Sequence, residues 1–403
     1  MLAQRMSLFQ TSGTSAARAA AKKAAEAGKT VVDLTAGEIL SDLAPTVRAG
    51  AIAAIEQGIN RYTDTTGLPE LREALARKVS LETGQTWEPD EIAVTAGAKQ
   101  ALFNVAMVLL NPGDEVIIPA PYWTTFPAQV LVAGGKPVTV DTRASGYVPS
   151  IADIERALTP ATRAIVVNTP NNPTGAVYDK HTLTALGELA VARDLWIIFD
   201  ECYRDFVHAP HIHHPIVSLV PEARSRTLIV NAFSKSLALT GWRIGYLAAP
   251  KPVISAVKAI QSHTTSNPNA IAQHAVLAHL DGGDASFLNG LRALLEKNRR
   301  LGMDILSRLK SVPPPSAQGG FYFYLDLSSL ADVDAMSAAP RTADDVVNAL
   351  LAETGVAGVS GSAFGDPMGL RLSYGITHDK LALGLERLVG TFASWTQASR
   401  NVA

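Results

Sequence analysis

EIAVTAGAKQALFNVAMVLLNPGDEVIIPA, residues 91–120, switches its hydrophobic period twice. EIAVT is a short apolar run that stops at Gly97, AKQALFNVAMVLL carries apolar residues at helical spacing, NPGD is a turn, and EVIIPA is again short and almost continuously apolar. Short runs that are apolar at odd and even positions alike suit strands covered on both faces, and a helix between two of them suits a parallel crossover. The alternation continues: TTFPAQVLVAGG reads as helix, KPVTVDT as strand, and RAIVVNTP, LWIIFDE, TLIVNAF and RIGYLAA as further buried strands. The expected fold class is α/β, with a wound, mostly parallel sheet.

On the amino-terminal side, SAARAAAKKAAEAG is rich in helix formers and closed by Gly28, an amphipathic pattern runs from Ala44 to Gln57, and GLPELREALARKVSLETG sets Pro69 at a helix start. Beyond about Phe287 the pattern changes to a long helix ending near Leu309, the break VPPPSAQGG, a strand FYFYLDL, a helix in TADDVVNALLAETG, a strand GLRLSYG and a closing helix. These elements predict a large domain over residues 48–290 and a smaller α/β domain made of 1–47 with 291–403.

A hydrophobic share of 47% over 403 residues is enough to bury a large core, and a formal net charge of -2 offers no basis for holding nucleic acid or an anionic membrane surface. The one cysteine, Cys202, has no internal partner, the amino terminus has no apolar signal core, and no apolar run is long enough to span a bilayer; a cytoplasmic protein is expected.

In a wound sheet, ligands lie beyond the carboxyl ends of strands. Four such ends carry polar chemistry: Ala96-Gly97-Ala98 opening a helix, the turn-rich loop from Asn168 to Gly175, Asp200 with Tyr203 three residues on, and Ser234-Lys235. In NAFSKSLALTGWRIGY, residues 231–246, Lys235 and Arg243 are the only charges. A reactive amine, a carboxylate, an aromatic face at Trp123 and an anion cradle together suit a Schiff-base aldehyde cofactor with a phosphate, pyridoxal phosphate.

With these motifs in order, from TAGE at Thr35 through YTDTTGLPELREAL, TAGAKQALFN, NPGDEVIIPAPYW, NTPNNPTGAVY, FDECY and SKSLALTGWRIGY to GLRLSY, the chain resembles the fold-type-I pyridoxal-phosphate aminotransferases of the aspartate aminotransferase class. The resemblance implies that Lys235 is the Schiff-base lysine and Asp200 the partner of the ring nitrogen. Asn172 and Tyr203 would hold the 3′-oxygen, Trp123 would stack on the ring, and Arg243, Ser234 and the Ala98 amide would hold phosphate. It further implies a homodimer in which Tyr62 reaches the neighbouring subunit's phosphate, an α-carboxylate site at Arg371, and a backbone contact at Gly37. Within a bacterial branch of the class, Ser12, Thr14 and Lys99 match the residues that bind a distal carboxylate, so aspartate with 2-oxoglutarate is the expected pair. Prephenate is disfavoured because Gln10 stands where prephenate users carry a basic residue.

Three departures accompany the resemblance. Gly37-Glu38-Ile39-Leu40-Ser41 replaces the usual Gly-Glu-Pro-Asp-Phe, Ala232 replaces a serine, and HAPHIHHP adds His208, His211, His213 and His214 in what reads as a surface loop with no metal spacing. Elimination, cyclisation or oxidative chemistry on an amino acid is the alternative on the same framework. A dinucleotide oxidoreductase is disfavoured, since no strand is followed by a G-x-G-x-x-G turn.

Overall fold

The computed structural model describes residues 2–8, 11–283, 285–310, 312–330 and 342–400. Its strands are β1 (Val32–Asp33), β2 (Ile92–Thr95), β3 (Glu115–Ala120), β4 (Lys136–Asp141), β5 (Thr162–Asn168), β6 (Trp196–Asp200), β7 (Thr227–Ala232), β8 (Gly245–Ala248), β9 (Tyr322–Asp326), β10 (Val356–Ala357), β11 (Val359–Ser360) and β12 (Gly369–Ser373). The first helices are α1 (Gly13–Glu26), α2 (Pro45–Glu56), α3 (Pro69–Thr83) and α4 (Ala98–Leu109). Pro69 opens α3 as expected, and Gly84 closes it in the left-handed region at φ 64.

Seven strands form one sheet in the order β2-β8-β7-β6-β5-β3-β4. Every pair is parallel except the two that involve β8, which runs antiparallel to β2 and to β7. A parallel return needs a crossover, usually a full helix. The link from β7 to β8 holds only the single turn Phe233–Ser236 and the 3-10 turn Thr240–Trp242, so the chain doubles back. That turn-back carries both Lys235 and Arg243.

The near-continuous apolar strands bury both faces of this sheet. Ala164, Val166, Ile198 and Val230 belong to one core cluster, while Ile165, Val167, Ile197 and Ile229, one position along, belong to the other. Each such valine or isoleucine contributes about 1.5–3 kcal/mol by leaving water. A charge at Ile165 or Ile197 would be left without a partner inside the second cluster.

Beyond the sheet's carboxyl edge, β9, β12 and β11 form a three-stranded antiparallel sheet, and β1 pairs parallel with β10. The amino-terminal segment thus joins the carboxyl-terminal elements. α1 packs on β11 and on the turn Gly361–Phe364. Gly13 permits that approach, since a Cβ there would lie 2.4 Å from the Ala363 methyl.

The histidine-rich stretch lies at the surface as expected, with Ala209, Pro210 and Ile212 exposed, but two of its histidines turn inward. An antiparallel bridge between Val207 and Gly319 draws its beginning inward. His208 is buried, 2.8 Å from Glu296 through Nδ1 and 3.0 Å from the Tyr374 hydroxyl through Nε2. His213 lies 2.9 Å from the buried Glu201 carboxylate and stacks on Phe199. His211 and His214 remain partly exposed. Among the described residues, no group of three or more histidine, cysteine or acidic side chains is arranged to hold a metal, and no helix is long and apolar enough to cross a membrane.

Candidate active site

A cavity of about 510 Å3 opens between the carboxyl edge of the seven-stranded sheet and the strands β9 and β12. Its wall includes Asp200 at the end of β6, Tyr203 just beyond it, Asn172 after β5, Lys235 and Arg243 from the β7–β8 turn-back, Ala98 at the start of α4, and Arg371 from β12. Residues 231–246 reach it because β7 ends at Ala232 and β8 begins opposite, with Ala232 paired to Gly245.

Asp200 is 3% exposed and accepts a hydrogen bond from the Cys202 amide at 3.1 Å. Burial raises its carboxyl to about 6, opposed by that hydrogen bond. A cation beside this carboxylate would restore its charge. Burial likewise lowers the Lys235 amine to about 8, with Arg371 and Arg243 adding repulsion and Cys202 and Glu38 opposing. The Lys235 ammonium donates to the Gly37 carbonyl and lies 5.7 Å from the Tyr203 ring and 5.7 Å from that of Phe321. Glu201, next to Asp200, is held at about 2: burial pushes it upward, but Arg204 and His213 outweigh that push.

One end of the cavity is a concave cradle. Gly97 caps α4 at φ +77, and a Cβ on it would sit 2.8 Å from Arg243 Nη2. Among the described residues the Arg243 guanidinium donates only to backbone carbonyls, Thr240 at 3.0 Å and Ala96 at 3.3 Å, and meets no acid. Arg243 itself occupies the left-handed region at φ 54, a strained backbone for a side chain of its size. A helix start and an arginine without an acid converge where an anion belongs. With the buried carboxylate at the other end and the lysine between, the residues fit pyridoxal phosphate.

Arg371 is 2% exposed, yet its guanidinium meets no acid among the described residues. It donates to Asn172 Oδ1 at 2.9 Å and to the Thr35 carbonyl at 2.9 Å, and its Nε, buried, has no partner. A buried cation supported by neutral acceptors alone is costly unless an anionic ligand completes it.

The outer wall comes from other segments. Thr14, Arg18 and Lys99 line it, and the Lys99 ammonium lies 5.0 Å from the centre of the Trp123 ring. Burial and then Arg243 lower the Lys99 amine. Ser12 does not line the cavity itself but hydrogen-bonds Thr14 at 2.8 Å. Tyr62 is 88% exposed and stands apart, and Gln10 lies outside the described residues. The altered segment Gly37-Glu38-Ile39-Leu40 is fixed by Glu38, which accepts from Arg18 at 3.1 Å and Thr240 at 3.0 Å, and by the Leu40 amide on the Gly375 carbonyl at 2.8 Å. Arg18, Glu38, Cys202 and Tyr322 line the cavity although none of them was assigned a role in the site from the sequence. Tyr322 sits in an apolar run that reads as core, Cys202 lies just past the acidic end of one, and Arg18 is in a helix that reads as peripheral.

A wound α/β sheet that presents a lysine, a buried carboxylate and an anion cradle along one edge defines a lysine-dependent pyridoxal-phosphate enzyme. Comparison with known proteins narrows the class. Residues 29–388 match the model of aminotransferase class I and II. An aspartate aminotransferase of Geobacillus stearothermophilus is 39% identical over 96% of this chain and 98% of its own length. An aspartate/prephenate aminotransferase of Thermus thermophilus is 41% identical over 96% of this chain and 97% of its own. Among solved structures, the aspartate aminotransferase of Thermus thermophilus with maleate superposes with TM-score 0.90 at 39% identity, covering 97% of this chain and 99% of that one. That of Rhizobium meliloti gives TM-score 0.93 at 35% identity, covering 98% and 99%. The chain belongs to the class I and II aminotransferases and is a pyridoxal-phosphate-dependent transaminase.

Proposed function

We propose that the enzyme exchanges the amino group of aspartate with 2-oxoglutarate in two half-reactions at one site. The observation that carries this reading is the buried Arg371 guanidinium, which has no acid partner, in one cavity with Lys235 and Lys99. Its planar fork suits an α-carboxylate. Lys99, half-desolvated beside Trp123, suits a second carboxylate, with Thr14 and, through it, Ser12 as further donors. The relatives from Geobacillus and Thermus carry names that include aspartate. Aspartate with 2-oxoglutarate ranks ahead of prephenate on the Gln10 argument.

Bound pyridoxal phosphate supplies an aldehyde that condenses with amines and a ring that withdraws the electron pair left at Cα. Asp200 would keep the ring nitrogen charged, Asn172 and Tyr203 would hold the 3′-oxygen, and Trp123 would lie against the ring. Arg243, Ser234 and the Ala98 amide would grip the phosphate. Lys235 would anchor the cofactor through its amine and, once freed, would take and hold the proton released from the substrate's Cα. An amine near 8 holds and releases a proton readily close to neutral pH. The Gly37 carbonyl, which receives the Lys235 ammonium, steers it.

A homodimer fits the exposed Tyr62, whose phenol would complete the phosphate site of a second copy, and the cytoplasm fits the single buried cysteine. We read the chain as two units, 48–290 and 1–47 with 291–403, meeting at the cavity; both seams run within helices, α2 and Ser286–Leu306. The decisive experiment mixes cofactor-bound enzyme with single amino acids and follows the cofactor's absorbance. Aspartate and glutamate should convert it first. A response to neutral or basic amino acids alone would refute the acidic-substrate reading, and release of ammonia without an acceptor would transfer the enzyme to elimination chemistry.

A further inference from the structure

Tyr322, in β9, is 1% exposed and faces the cavity. Its hydroxyl lies 2.9 Å from that of Tyr203, and the Arg371 guanidinium carbon lies 4.4 Å from the centre of its ring. Arg371 in turn donates to Asn172 at 2.9 Å, and Asn172 Nδ2 donates to the Tyr203 hydroxyl at 3.3 Å. Four side chains from four separate segments therefore close a circuit: Arg371, Asn172, Tyr203, Tyr322 and back to Arg371.

A phenol has one proton to give and two lone pairs to receive with. Tyr203 already receives from Asn172. If its own proton is given to an acceptor in the cavity, the short contact with Tyr322 has to run from Tyr322 to Tyr203. The Tyr203 oxygen then accepts twice and donates once, and both incoming donors polarise its remaining O–H. The ring of Tyr322, meanwhile, offers its face to Arg371, whose guanidinium plane it helps hold for a carboxylate.

We infer that Tyr322 is a positioning residue with two separable parts: its hydroxyl aims the Tyr203 proton at the cofactor's 3′-oxygen, and its ring steadies Arg371 for the substrate's α-carboxylate. The inference rests on the proposed role of Tyr203 as donor to that oxygen. A donor aimed at an oxyanion disfavours its protonation, so removing the donor raises the pH at which the bound chromophore takes up a proton.

Two readouts test it, neither of them turnover: spectrophotometric pH titration of substrate-free, cofactor-bound enzyme, and calorimetric binding of maleate, an unreactive dicarboxylate. Tyr203→Phe should raise the titration midpoint by about 1 pH unit and Tyr322→Phe by about 0.5, on the scale of a neutral hydrogen bond. The double variant should move no further than Tyr203→Phe alone. Tyr322→Phe, which keeps the ring, should bind maleate within about twofold of wild type, and Tyr322→Leu about fivefold more weakly. A shift with Tyr203→Phe but none with Tyr322→Phe overturns the hydroxyl's part, as does an additive double variant. Equal loss of maleate binding in the Phe and Leu variants overturns the ring's part. An unmoved midpoint in Tyr203→Phe refutes the Tyr203 reading itself and takes the inference with it.

Discussion

The floor of the cavity and its outer wall are built on different terms. The floor consists of strand ends and the turns that follow them; its strand-end residues are almost fully buried, Asp200 at 3%, Asn172 at 5%, Ser234 at 7% and Ala98 at 9% exposure, while Lys235 is half-buried and Arg243 exposed. The outer wall is drawn from α1, the segment around Gly37 and Lys99; there the Arg18 and Glu38 side chains are 63% and 38% exposed. A rigid sheet edge fixes groups to which the cofactor chemistry is sensitive at sub-ångström scale, whereas the choice of amino acid is left to segments that do not carry the sheet's core. Substitutions in the floor should therefore abolish reaction or reset the site's charge, and substitutions in the wall should change which substrate is used.

The largest expected effect is Lys235→Ala, which would remove the proposed anchoring amine and base together. Turnover should fall by about 10^4-fold or more, and the bound cofactor's imine absorbance should disappear. An active variant would erase the distinction between floor and wall at its strongest point.

Asp200 provides a test through stability. Its carboxyl is raised to about 6 from 3.8 in the cofactor-free protein, chiefly by burial, so the folded state binds that proton more tightly than the unfolded chain. The resulting stabilisation is complete below 3.8 and is lost as the pH rises through about 6. It amounts to at most about 3 kcal/mol. Urea denaturation of cofactor-free wild type and Asp200→Asn between pH 4 and 7 should show the wild type losing stability relative to the variant. Parallel pH profiles would mean that the carboxylate is not desolvated as described.

In the wall, Lys99→Ala should raise KM for aspartate by about 10–100-fold, as expected for losing a partly desolvated charge-assisted contact, while a neutral amino acid such as alanine is affected about twofold or less. Equal losses for both substrates would move Lys99 from wall to floor. The smallest effect belongs to Ser12→Ala, which touches the cavity only through its 2.8 Å bond to Thr14. A two- to fivefold rise in KM for aspartate, with kcat unchanged, is expected from one neutral hydrogen bond.

The floor was legible because strand ends announce themselves. Asp200 and Ser234-Lys235 follow short apolar runs, and the sheet topology brings the ends of β2, β6 and β7 to one edge. Arg243 was legible as one of two charges in an apolar stretch. The wall was less so. Arg18 sits in an alanine-rich helix with no motif of its own, and Tyr322 in FYFYLDL reads as core, since the alternation of a strand does not say that one tyrosine will meet an arginine across β12. The inward turn of His208 and His213 was hidden for a similar reason: their partners, Glu296, Tyr374 and Glu201, depend on contacts as far as 166 residues apart along the chain.

By itself the sequence determined the α/β class, the sheet-forming runs, and a lysine and a carboxylate at the strand ends, because these rest on local period and on residue type at strand ends. Tertiary structure alone decided that β8 runs antiparallel, that Arg371 is buried without an acid, and that Tyr322 closes a circuit from Arg371 to Tyr203. Those features depend on distances between segments remote in the chain, which composition and spacing do not encode until packing brings the segments together.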